Sequence, residues 1–115
     1  MKLILTKNQS KGLLGGVKFE VRAQVELSEE EKKLIHNYKL ENDILFQKKM
    51  VSIWGHPTDY MLDVKVKDFL SGQTYKCKDL SEVISFAESL KEAGKTLKAY
   101  LEVAKSFGGQ EVIEY

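Results

Sequence analysis

From Val17 to Leu27 apolar and polar residues alternate without a break. Val17, Phe19, Val21, Ala23, Val25 and Leu27 share one parity, and Lys18, Glu20, Arg22, Gln24 and Glu26 share the other. Successive side chains of an extended chain point to opposite faces, so this run predicts a strand with one dry side and one wet side. Such a strand belongs to an antiparallel sheet covered on a single face, because the strands of parallel sheets are buried on both.

The rest of the chain is read around that strand. KLILT, Lys2–Thr6, is expected to form a short first strand, joined to the second by a loop holding Gly12, Gly15 and Gly16. Ser28 and Glu31 have capping-box spacing, and the acidic run Glu29–Glu31 sits where a helix dipole is positive. A short helix with Leu34, Ile35 and Tyr38 on its apolar side should therefore follow strand two. A third strand is expected from about Asp43 to Trp54, with a bulge across Gln47–Lys49 where the apolar parity changes. Beyond the GHPTD loop, Tyr60–Phe69 and Gln73–Lys78 read as a hairpin turning at Ser71-Gly72.

The last third reads as helix. Asp79 and Glu82 repeat the capping-box spacing. Leu80, Val83, Ile84, Ala87 and Leu90 make one apolar stripe, and Leu97, Tyr100, Leu101 and Ala104 make another. Gly94 stands between them, but counting sevens from Leu80 reaches Ala87, Gly94 and Leu101 in one register. A broken helix has no reason to keep phase, so one helix from Leu80 to Ser106 is expected. Gly108-Gly109 would cap it and EVIEY, Glu111–Tyr115, would close the sheet. The predicted fold is a single α+β domain over residues 1–115. It has an antiparallel sheet of five or six strands, one long C-terminal helix on the apolar face, and a short helix after strand 2.

Several function classes are set aside by the residues themselves. The chain carries 18 basic and 17 acidic residues, net +1, so no global field attracts nucleic acid or an anionic membrane. A lone cysteine, Cys77, fits a reducing compartment. No apolar run has the length of a signal core or a membrane span. A cytoplasmic protein without a membrane partner is expected. The glycine loop leads into a strand where a phosphate cradle needs a helix N-terminus, and it matches no nucleotide-binding spacing. It reads as a hairpin loop whose Leu13 and Leu14 need cover from the protein or a partner. His36, His56 and Cys77 fall on separate elements, so no metal or cofactor is expected. His36 should lie at the rim of the core, and Cys77 should point inward with Val66 and Tyr75.

The second hairpin carries the candidate binding residues. Pairing about Ser71-Gly72 would set Lys67 opposite Lys76 and Lys65 opposite Lys78, an unfavourable placement of like charges. Lys65, Lys67, Lys76 and Lys78 then form a cationic patch, which either guards a sheet edge or docks an anion. The leading expectation is a non-catalytic binding module that engages an acidic protein surface or self-associates. The alternative is a nucleic-acid-binding domain using the same face, and a third reading is a small hydrolase-like enzyme centred on His56 and Asp59. Phe86, off the helix stripe, and Phe107, near the helix end, are candidates for a dimer contact, and the EVIEY strand could add to a second copy.

Overall fold

The computed structural model describes residues 1–47 and 63–115, and between them the backbone pairing of Ser52–Ile53 with His56–Pro57. In chain order the elements are β1 (Lys2–Lys11), β2 (Val17–Glu26), α1 (Glu29–Asn37), a 3-10 turn (Leu40–Asn42) and β3 (Ile44–Gln47). The two-residue β4 (Ser52–Ile53) and β5 (His56–Pro57) come next. Then follow β6 (Asp63–Lys65), α2 (Val66–Ser71), β7 (Gln73–Cys77) and α3 (Leu80–Ser106).

The alternating strand β2 is the middle of a three-stranded antiparallel sheet, flanked by β1 and β7. Val21, Ala23 and Val25 are buried beneath it. On the opposite, wet face the charges alternate in sign across the ladder: Lys2 lies opposite Glu26 and Lys76 opposite Glu20. Cross-strand pairs of this kind favour the register by about 0.2–1 kcal/mol each. A separate two-stranded sheet pairs β3 with β6. The expected α+β class and long helix are therefore present, while the expected single sheet of five or six strands is divided. The shift in register lies between Ile44 and Phe46. The bulge expected at Gln47–Lys49 runs beyond the described residues.

The helix α3 runs unbroken through Gly94 and is one element of 27 residues, as the heptad count implied. It buries Phe86, Leu90, Leu97 and Leu101 against the sheets. Gly94 sits where α3 crosses β1: a Cβ there would come within 3.1 Å of Leu3 Cδ2, so glycine allows the close approach. The N-terminus of α3 is capped by Asp79, whose carboxylate accepts from the Glu82 N–H at 2.8 Å. The capping box at Ser28 and Glu31 forms as its spacing implied, with bonds of 3.0 and 3.1 Å in the two directions.

Three expectations are corrected. Residues Val66–Ser71 form a helix and not the end of a strand, so β6 pairs with β3, β7 pairs with β2, and no hairpin joins them. Asp68 closes the start of α2 by accepting from the Lys65 N–H at 2.8 Å. Gly72 ends α2 in the left-handed region at φ 76°, packed against the Arg22 guanidinium. Second, β1 extends to Lys11, five residues past the expected Thr6. Third, residues 107–115 form no strand, so EVIEY does not close the sheet.

Candidate docking surfaces

With the hairpin gone, the four lysines belong to different segments. Lys65 precedes α2 and Lys67 lies on it, Lys76 is on the wet face of β7 opposite Glu20, and Lys78 follows β7. The Lys78 ammonium is 3.9 Å from a Glu82 carboxylate oxygen. Lys67 does not face Lys76, nor Lys65 Lys78. The cross-strand lysine pairs from which the patch was argued are therefore absent.

A different surface stands out. β7 pairs with β2 only over Phe19–Ala23, so the far end of the β1–β2 ladder runs on alone. This arm, Ser10–Lys18, is closed by a turn in which the Gly15 N–H donates to the Gly12 carbonyl at 3.1 Å and Gly15 adopts φ 81°. At the tip Leu13 and Leu14 are 106% and 101% exposed, which is as open as a side chain on an extended chain. Nothing in the described protein covers them. The cover that the sequence calls for is thus not supplied by the described residues. Val17, 43% exposed, extends the apolar tip, and Lys11 and Lys18 are the only ionisable residues of the arm.

A second open surface lies at the end of α3. The Phe107 ring stacks on Tyr38 with centroids 6.0 Å apart, beside a shallow groove of about 390 Å³ that also involves Leu40, Tyr100 and Val103. Phe107, which follows the last residue of α3, is 68% exposed. Phe86 is the reverse case. It is 1% exposed and meets the Tyr75 ring edge-on at 6.1 Å, so it belongs to the core and to no dimer contact.

The titratable groups inside the fold have structural explanations. Glu31 is nearly buried, accepting from the Ser28 N–H and lying 3.3 Å from the Met1 α-amino nitrogen. The Ser28 bond, followed by the other bonds and the nearby ammonium, outweighs burial and lowers its pKa. Cys77 points inward as expected, and burial pushes its thiol pKa up, aided by Glu82 and Asp79. That leaves it a poor nucleophile. Burial also raises the Tyr75 hydroxyl to about 12, and among the described residues that hydroxyl has no hydrogen-bond partner. His36 is exposed on α1 and not at a core rim. The His56 side chain and Asp59 lie outside the described residues. Among the described residues no group of three or more His, Cys, Asp or Glu could hold a metal ion. No described helix is long and apolar enough to cross a membrane.

Compared with models of protein families, with curated proteins and with solved structures, the chain matches none.

Proposed function

We propose that this protein is a small, non-catalytic cytoplasmic binding module that engages an acidic protein surface through its β1–β2 arm. One observation carries the reading: Leu13 and Leu14 stand fully exposed at the end of an arm whose only charges are Lys11 and Lys18. Burying a leucine side chain is worth about 1.5–3 kcal/mol, so a partner pocket that covers both gains a large increment. Two lysines at the rim favour a pocket bordered by aspartate or glutamate and speed the encounter. The arm carries no aromatic ring on which a base could stack, which disfavours the nucleic-acid alternative.

The test places a photo-crosslinking side chain at position 14 of the full chain, in cells and in nuclease-treated extract. An acidic protein is expected as the crosslinked product, and Leu13→Ser/Leu14→Ser should abolish its non-covalent capture without changing the melting temperature. Crosslinks only to nucleic acid or lipid, or capture that survives the double substitution, would overturn the reading.

A further inference from the structure

Among the described residues β1 is the outer strand of its sheet, ten residues long. An outer strand presents a row of N–H and C=O groups that point away from its neighbour, a ready template for another strand. Beside it runs an open groove of about 360 Å³, lined by Leu3, Leu5 and Gly94 on its apolar side and by Lys91, Lys95 and Lys98. These lysines recur at intervals of four and three and so share one side of α3. Their intrahelical partners Glu88, Glu92 and Glu102 are all well exposed. Surface pairs of this kind contribute little and exchange readily.

The same chain carries a segment that suits this groove. Beyond α3, Val112, Ile113 and Tyr115 are 80%, 60% and 113% exposed, in a tail of β-favouring residues interspersed with Glu111 and Glu114. We propose that the tail of one copy adds as a strand to β1 of a second copy, and that the exchange is reciprocal. Each copy offers one groove and one tail, so two copies close a two-fold dimer with no site left over. Alternation along the added strand fixes which side chains enter. Ile113 and Tyr115 cover Leu3, Leu5 and the gap at Gly94, and Glu111 meets the lysines, while Val112 and Glu114 face outward. Within one chain the tail would have to double back along its own helix, since α3 continues roughly 12 Å past Lys98.

The surface is separate from the arm, so the two readings fail independently. Sedimentation of the full chain over a wide concentration range provides the test. A reversible monomer–dimer equilibrium is expected, unchanged by Leu13→Ser/Leu14→Ser. Ile113→Asp should raise the dimer dissociation constant by about tenfold or more, whereas Val112→Ser should leave it nearly unaltered. Lys95→Glu should weaken the dimer and Glu111→Lys should do the same, with the two together recovering much of the loss. Lys95 is exposed on α3, and Glu111, Val112 and Ile113 are exposed in the tail, so folding is checked by an unchanged melting temperature at concentrations where the parent is monomeric. A chain that stays monomeric throughout overturns the proposal. So does a dimer indifferent to Ile113→Asp, or one that Val112→Ser disrupts equally.

Discussion

Glu31 shows how a single side chain can tie two ends of a fold. Its carboxylate closes the α1 capping box through the Ser28 N–H and also meets the Met1 α-amino group at 3.3 Å. Both contacts favour the ionised form, and its pKa lies below the usual 4.5. A group whose pKa is depressed by folding stabilises the folded state above its unfolded value and loses that contribution as pH falls through the folded one. Denaturant titration of Glu31→Gln should therefore show lower stability near neutral pH, by about 1 kcal/mol as for other lost caps. The difference from the parent should shrink below pH 4.5, where the parent's own carboxyl takes up a proton. A constant difference across the range would mean that packing, and not charge, is what Glu31 supplies. At this scale much was readable beforehand: the Ser28–Glu31 and Asp79–Glu82 spacings name their own hydrogen bonds. The salt bridge to Met1 was not, because no local pattern reports which distant group will arrive at a helix start.

At the scale of elements, the long helix and the lysine-bearing segment teach opposite lessons. Counting sevens showed correctly that α3 is continuous, yet the same count placed Leu80 in the core, where the structure leaves it 64% exposed. An α-helix turns 3.6 residues at a time, so a seven-residue repeat drifts by about 20° per heptad. Across the three intervals from Leu80 to Leu101 the drift is roughly 60°. Leu80 and Ile84 consequently rotate out while Phe86 rotates in. Leu97→Ala should cost about 2–5 kcal/mol through lost contacts and the cavity left behind. Ile84→Ala, 65% exposed, should fall within about 0.5 kcal/mol of the parent. Chemical denaturation reads both, and a large loss at Ile84 would place that residue in an interface. In the segment after Val64 the alternation with Val66 ran on too far. Val66 and Phe69 are both buried with a spacing of three, Asp68 sits at the third helical position and Gly72 follows the last. Those four residues are a helix signal, outweighed in the reading by a two-residue echo of strand period. The lysine pairing across a hairpin rested on that strand and disappeared with it.

At the scale of the molecule, the described residues form a packed body with two projections. β2 supplies the buried centre of one sheet, α3 covers it, and the end of the β1–β2 ladder and the tail beyond α3 lie outside that cover. A lone two-stranded ribbon is marginally stable in water. Amide hydrogen exchange should accordingly be fast from Ser10 to Lys18 and slow over Val21–Val25 and the buried face of α3. Slow exchange throughout the arm in the isolated protein would show that its tip is already covered by another copy. The α+β class and the helical layer follow from periodicity alone, since each period dictates an element and its dry face. Which strands become neighbours depends on contacts between distant segments, and one turn assigned at Ser71-Gly72 was enough to join the β1–β2–β7 and β3–β6 sheets into one.

The unshared crown at Leu13 and Leu14 also divides the polypeptide at a place where the division is harmless to the body. A peptide spliced into that bend, or a cut made across it, leaves all ten cross-ladder partners from Lys2–Glu26 to Lys11–Val17 on intact backbone. Two separately produced pieces meeting there would have a zipper of matched edges to bring them back together, which makes the bend a natural seam for a complementation reporter.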